Sequence, residues 1–160
     1  MNKKLGLVAV LCAVLTSGAF AKTALGLQGG ATVGSGVGGN VAVTFKVSSV
    51  PCVFAVDLGM SGGQLGYVGV TADWWAFNKR LAGMLNWYFA PGIAVGANFY
   101  GNAFNYVEFG PRFVLGLNAF VIEPLELYAQ VAWQPMVWVS DQLYWGWNNF
   151  PINFGFRFWF

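Results

Sequence analysis

The chain ends in Pro151-Ile-Asn-Phe-Gly-Phe-Arg-Phe-Trp-Phe160, and this stretch decides the fold. Side chains alternate between the two faces of a β-strand, so the five even-numbered residues from Ile152 to Phe160, all large and apolar, share one face. Arg157 lies on the opposite face. A strand with so apolar a face would promote aggregation in water. The alternation therefore predicts a strand whose apolar face contacts lipid.

The N-terminus has the pattern of a secretory signal peptide. Two lysines precede an apolar run from Leu5 to Leu15, and the small-x-small site Ala19-Phe20-Ala21 follows. Such a run is too short to span a bilayer as a helix. A lipoprotein with Cys12 as the lipidated residue is the alternative, although Cys12 would cut the apolar run in half. We therefore expect residues 1–21 to be a cleaved signal peptide and residues 22–160 to form one barrel domain.

The composition fits neither a soluble domain nor a helical membrane protein. The chain is 57% hydrophobic and 9% charged, yet no helix-length apolar segment follows residue 21. A transmembrane β-barrel fits both observations, because lipid-facing and lumen-facing residues alternate along its strands. Residues 22–160 hold six basic and six acidic residues without a basic patch, so no nucleic-acid partner is predicted.

The residue types that most catalytic and metal sites need are missing. The chain has no histidine, and Cys52 is the only cysteine after residue 21. These counts exclude Ser-His nucleophilic catalysis, histidine bases, a thiolate zinc site and an intrachain disulfide. The Gly-rich stretch 29–39 precedes no helix pattern, so it is not a phosphate-binding loop. We expect no enzymatic activity and no catalytic, cofactor-binding or metal site.

Alternating segments predict eight strands, an even number as in single-chain bacterial barrels. Asn78-Lys79-Arg80 is predicted to be a short polar turn, and residues 135–150 are predicted to be the longest connection. The predicted strands lie at residues 24–32, 41–47, 52–58, 65–75, 81–100, 106–118, 125–134 and 151–160.

The fifth predicted strand is open to two interpretations. Ala90-Pro91-Gly92 has the composition of a turn, which would give two strands here and nine in total. The apolar–polar alternation nevertheless keeps one phase from Leu85 to Phe99. We therefore predict one long strand with a bend or bulge at Pro91-Gly92.

The charged residues provide a test of these strands. Seven of the twelve charged residues after residue 21 fall within strands, and all seven share the inward phase. Lipid would select this segregation, because a Lys or Arg facing the bilayer midplane costs roughly 2–4 kcal/mol. Isolated buried charges are also costly, so we predict that these residues pair inside the lumen, with Glu126 contacting Arg157. The predicted lumen charge network is Lys46, Asp57, Asp73, Glu108, Arg112, Glu126 and Arg157.

The aromatic residues suggest two roles. The aromatic girdles at the membrane interfaces are predicted to consist of Trp74, Trp75, Trp87, Phe89, Trp133, Trp138 and the Phe-rich C-terminus. Residues 136–150 are unusually apolar for a loop. Either strands seven and eight extend beyond the membrane there, or the segment is a contact surface or a lip for apolar solutes. The candidate contact residues in this outer loop are Trp138, Tyr144, Trp145 and Trp147.

The terminal Phe160 resembles the C-terminal signature of bacterial outer-membrane β-barrel proteins. With the signal-peptide pattern and eight alternating segments, the chain resembles small barrels of the OmpW and OmpA-transmembrane type. Three runs are similar to small outer-membrane proteins of spirochaetes, including treponemes: Ala72-Asp73-Trp74-Trp75, Leu85-Asn86-Trp87-Tyr88-Phe89 and Pro124-Leu125-Glu126-Leu127-Tyr128.

This resemblance implies an all-β, eight-stranded antiparallel up-and-down transmembrane β-barrel in the outer membrane of a diderm bacterium. The expected partners are outer-membrane lipid and the barrel-assembly machinery, and the expected state is a monomer. OmpW-like barrels are associated with uptake of small hydrophobic molecules, so the first hypothesis is a narrow passage for small apolar solutes. The second is a non-transporting structural or host-surface interaction barrel. A soluble lipocalin-like carrier, with its apolar face inside, is the third.

Overall fold

The computed structural model describes residues 22–34, 38–61, 64–100, 103–140 and 142–160. The predicted signal peptide, residues 1–21, lies outside the described residues, as does Asp141. In the part of the chain that is described, no helix is long and apolar enough to cross a membrane. Eleven strands are described: β1 (Thr23–Gly34), β2 (Gly38–Val47), β3 (Val50–Ser61), β4 (Gln64–Trp74), β5 (Phe77–Ala82), β6 (Leu85–Tyr100), β7 (Ala103–Ile122), β8 (Leu125–Trp133), β9 (Met136–Val139), β10 (Leu143–Gly146) and β11 (Asn149–Trp159).

Eight of these strands close into a barrel. Each neighbour pair is antiparallel, and the order around the wall is β1-β2-β3-β4-β6-β7-β8-β11, with β11 pairing back onto β1. The short strand β5 continues the line of β4 alongside β6, while β9 continues the line of β8 alongside β7. The predicted eight-stranded antiparallel barrel is therefore confirmed.

The pairing register fixes the stagger of the wall. A path from Val95 of β6 through paired residues returns to β6 at Leu85, ten residues earlier in the chain. Such a stagger requires strands that tilt relative to the barrel axis, and eight strands leave an interior just wide enough for side chains. The path runs through Val70, Val56, Val43, Leu27, Phe156, Leu127 and Ala119.

The two ends of the barrel differ. At one end, here the terminal end, Thr23 and Phe160 exchange backbone hydrogen bonds of 2.8 and 3.3 Å. The turns at this end are short: Ser48–Ser49, Gly83–Met84 and Glu123–Pro124. Gly83 has a φ of 55°, a left-handed conformation that glycine adopts without steric cost. The opposite end, here the loop end, carries the other connections, of which residues 134–148 are the longest.

The long strand predicted across Pro91 is confirmed, but the predicted bulge is not at Pro91-Gly92. β6 pairs with β7 without a shift from Leu85 to Asn98, and the shift falls between Asn98 and Phe99. On the other side of β6, β4 pairs as far as Gly92 and β5 begins opposite Phe89. Pro91 therefore lies opposite the gap between β4 and β5, where a residue without an N–H is tolerated.

The predicted turn at Asn78-Lys79-Arg80 is wrong. These residues lie inside β5 and pair with Tyr88, Trp87 and Asn86 of β6. All six residues of β5 are exposed, and Lys79 lies between Phe77 and Leu81 on one face, so the apolar alternation is broken there. Without that pattern the sequence contains no period-two signal for a strand.

The outer face of the barrel is apolar along its whole circumference. Half or more of the side chain stays exposed at many outward positions, for example 52% at Leu27 and 64% at Phe154. Other outward residues of this belt are Val43, Val56, Val70, Ile93, Val95, Leu115, Leu127 and Phe156. A belt of this kind suits contact with the lipid of a bilayer rather than with water.

A charge placed in this belt should impair folding into lipid. Leu27→Arg, at mid-height on β1, is expected to lower the free energy of unfolding by about 2–4 kcal/mol in phosphatidylcholine vesicles. The matched control Met84→Arg, at the exposed turn of the terminal end, should cost about 0–1 kcal/mol. Urea titration of both variants measures the difference, and equal costs at the two positions would contradict a lipid-facing belt.

Candidate functional site

The structure places all seven predicted lumen charges inside the barrel. Six are at most 9% exposed, and Glu108, nearest the loop end, is half-buried. They do not form one network of ion pairs as predicted. Among the described residues, ion pairs join only Glu126 to Arg157 and Asp73 to Arg112. Lys46, Asp57 and Glu108 instead contact aromatic or neutral polar groups.

Glu126 forms the centre of a buried cluster in the terminal half of the lumen. Its Oε1 lies 3.6 Å from Nη1 of Arg157, so the predicted contact between these residues is present. The two residues are direct partners across β8 and β11. Asn118 donates a hydrogen bond of 2.8 Å to Oε1, and the Trp159 indole donates one of 2.9 Å to Oε2. The carboxylate is 0% exposed, and these donors offset its loss of water.

The two cations of this half lie over aromatic rings. Nζ of Lys46 is 3.1 Å from the centroid of the Trp75 ring, and Cζ of Arg157 is 3.8 Å from that of Tyr128. Trp75 also stacks on Tyr88 with centroids 4.3 Å apart. Each ring face attracts a cation, and the attraction grows where water is excluded. The predicted place of Trp75 in a girdle is wrong, because it follows outward Trp74 by one residue and so faces the lumen.

Glycines make room for the inward rings. A Cβ added at Gly155 would lie 2.5 Å from Oη of Tyr128, and one at Gly116 would collide with the ring of Tyr88. Tyr88 donates a hydrogen bond of 2.7 Å to Gln130. With Tyr88 0% exposed and Tyr128 4% exposed, rings and ion pairs fill the terminal half of the lumen.

Arg112 and Asp73 occupy the middle of the lumen. Nε of Arg112 lies 3.1 Å from Oδ1 and 3.2 Å from Oδ2 of Asp73, and its Nη1 donates to Gln134. Arg112 is 3% exposed and Asp73 is 5% exposed. Arg112 lines a cavity that opens towards the loop end.

The cavity, here the vestibule, has a volume of about 440 Å³. Asp57 accepts hydrogen bonds from Gln28 at 3.4 Å and Asn40 at 3.2 Å. Glu108 accepts from Asn98 at 2.8 Å and from the indole of Trp138 at 2.9 Å. The lining also includes Tyr67, Arg112 and Asn153.

The segment predicted as an outer loop is a β-hairpin. β9 pairs with Val107–Phe109 of β7, and β10 pairs with β9, so the wall extends at the loop end. This favours the interpretation that strands seven and eight continue. Among the predicted contact residues, Tyr144, Trp145 and Trp147 are 52–60% exposed, whereas Trp138 is half-buried and hydrogen-bonded to Glu108. The predicted place of Trp138 in a girdle is therefore wrong, because its side chain lines the vestibule.

Several functional side chains were absent from the predicted network. Tyr67, Gln28 and Asn40 are uncharged, and the prediction followed formal charge alone. Their inward phase in the alternation was the signal that could have identified them. Within the described residues, no group of three or more Cys, Asp or Glu side chains is placed to hold a metal ion.

The described fold is similar to that of solved outer-membrane proteins. The crystal structure of Neisserial surface protein A (NspA) matches with a TM-score of 0.59 and 12% identity, over 88% of this chain and 97% of that chain. The chain shares the fold of NspA. A major outer membrane protein from Thermus thermophilus matches with a TM-score of 0.41 and 12% identity, over 88% and 99% of the chains. No family model and no curated protein matches the sequence.

The ion pair between Glu126 and Arg157 should show strong coupling. Removing one partner leaves a buried charge uncompensated, so Glu126→Gln and Arg157→Met are each expected to lower the free energy of unfolding by about 3–5 kcal/mol. The double variant should recover much of this loss, because neither charge remains. Urea unfolding in vesicles gives the free energy of unfolding of the wild type, both single variants and the double variant. If the two single losses add up to the loss in the double variant, the predicted pairing is contradicted.

Proposed function

We propose that this chain is an integral outer-membrane β-barrel protein that conducts no solute along its axis and presents its loop end as a contact surface. One observation carries the proposal: the terminal half of the lumen is filled. Tyr88, Glu126 and Arg157 are 0–1% exposed within it. A path along the axis would have to break the ion pair and separate the stacked rings around it.

Membrane location is supported by the barrel itself. Its outer belt is apolar, its strands close without a free edge around the wall, and seven of its charged side chains are inside. In the proposal, outer-membrane lipid surrounds the belt, the barrel-assembly machinery inserts the chain, and the barrel is a monomer of a diderm bacterium. The short turns and both termini lie on the periplasmic side, and the loop end faces outwards, as is usual for such barrels.

The hairpin β9–β10 supports the proposal that the loop end contacts another molecule. Tyr144, Trp145 and Trp147 are all more than half exposed beyond the pairing of β9 with β7, and the rings of Trp145 and Trp147 are stacked 6.0 Å apart. Exposed aromatic clusters of this kind are typical of interaction surfaces. The proposal includes no enzymatic activity and no cofactor.

A second candidate is the narrow passage for small apolar solutes. The vestibule favours it, because a cavity of about 440 Å³ opens at the loop end. The filled terminal half argues against it, since the vestibule ends at Arg112, whose ion pair with Asp73 is buried. The structural barrel with a contact surface is therefore the better supported function.

Conductance separates the two candidates. In planar lipid bilayers the wild-type barrel is expected to give no discrete channels, and liposomes containing it should not swell in solutions of small solutes. The variant Tyr88→Ala/Arg157→Ala removes the largest side chains of the filled half and is expected to conduct ions. Regular single-channel steps from the wild type would contradict the proposal.

The orientation is tested by labelling intact cells. In a Cys52→Ser background, Tyr144→Cys at the loop end should react with a membrane-impermeant maleimide on intact diderm cells. The matched control Lys79→Cys, equally exposed but at the terminal end, should react only after the outer membrane is opened. Labelling of position 79 alone on intact cells would contradict the proposed orientation.

A further inference from the structure

The wall of the vestibule contains an ordered row of residues on four neighbouring strands. Asp57 of β3 pairs with Gly69 of β4, Gly69 with Gly96 of β6, and Gly96 with Glu108 of β7. The ring of Tyr67 lies over the two glycines, because a Cβ added at either glycine would collide with it. An aromatic ring therefore lies on the wall between two carboxylates.

Neither carboxylate forms an ion pair among the described residues. Asp57 is 7% exposed and accepts only from the amides of Gln28 and Asn40. Arg112 is the cation of the vestibule, and it is held by Asp73 and Gln134. The wall between β3 and β7 therefore carries two negative charges and a π face, and both attract a cation.

The unused polar atoms of the same cavity are hydrogen-bond acceptors. Asn153 lines the vestibule and is 1% exposed, and its Oδ1 receives no hydrogen bond. Oδ1 of Asn40 is also without a donor, and its orientation is fixed because Nδ2 of the same amide donates to Asp57. Both oxygens are shielded from the open space of the vestibule, so N–H donors of a ligand reach them only after these amides move, and that movement would relieve the cost of an unpartnered acceptor.

We propose that the vestibule binds a small organic cation with N–H donors, of the class of primary amines. The ammonium group would lie over Tyr67 and receive Asp57 or Glu108 as its counter-charge. A single metal ion shared by the two carboxylates is the poorer fit, since three strand spacings of about 4.8 Å separate their positions on the wall. A volume of about 440 Å³ is within the range of small-molecule pockets, roughly 300–1,000 Å³.

The test uses butylamine as the probe, with the full barrel in detergent micelles. Backbone amide signals of Gly69 and Gly96 are followed by NMR, and a saturable shift is expected with butylamine. Tetramethylammonium, a cation without N–H donors, should bind at least about tenfold more weakly, and butyrate should cause no saturable shift. Equal binding of either control ligand would overturn the proposal.

Substitutions test whether butylamine binds in the vestibule. Asp57→Asn and Glu108→Gln are each expected to weaken butylamine binding about tenfold. Glu123→Gln, which removes the same charge at the exposed turn of the terminal end, should leave the affinity unchanged.

Tyr67→Leu, which keeps both carboxylates, should also weaken binding and covers the case in which a carboxylate variant does not fold. Wild-type affinity in Tyr67→Leu or in the double carboxylate variant would overturn the proposal. The result is independent of whether the barrel conducts.

Discussion

Every strand of the barrel has to satisfy two environments at once, and the rest of the structure depends on that constraint. With a side-chain period of two, one face of each strand meets lipid and the other a lumen only wide enough for side chains. The outward face therefore carries residues such as Phe154, 64% exposed, while the inward face alternates bulky and minimal groups. Tyr128 over Gly155 and Tyr88 beside Gly116 show how the inner volume is balanced.

The same constraint divides the lumen along its axis. In the terminal half, one buried carboxylate, Glu126, receives an arginine, an amide and an indole, and the cation of Lys46 lies over a ring. Rings and ion pairs fill this half of the lumen. In the loop half, Asp57 and Glu108 receive only neutral donors and border open space. This small barrel therefore has one filled half and one half with an open cavity.

Three features could be predicted from the alternation: the fold, the outer belt and the inward position of all seven charges. They were predictable because lipid and lumen each select the residues at every second position of a strand. Where one environment surrounds both faces, as at β5, the signal vanished and Lys79 was assigned to a turn. The pairing of charges was less predictable. Lys46 stacks on Trp75 because the stagger of the wall brings them together, and no local pattern encodes that stagger.

The half-buried Trp138 joins the vestibule to the exposed hairpin. Its indole donates to Glu108, and its ring covers Gly146 of β10, where a Cβ would lie 2.5 Å from Cη2. A hydrogen bond to a carboxylate is stronger than one to a neutral acceptor, so the charge of Glu108 helps to hold β9 in place. Asn98 and Trp138 both donate to Oε2, so a cation that engages Oε1 draws on the same carboxylate charge without displacing either donor. The electrostatics of the vestibule and the position of Tyr144 and Trp145 on the hairpin are therefore connected through one side chain.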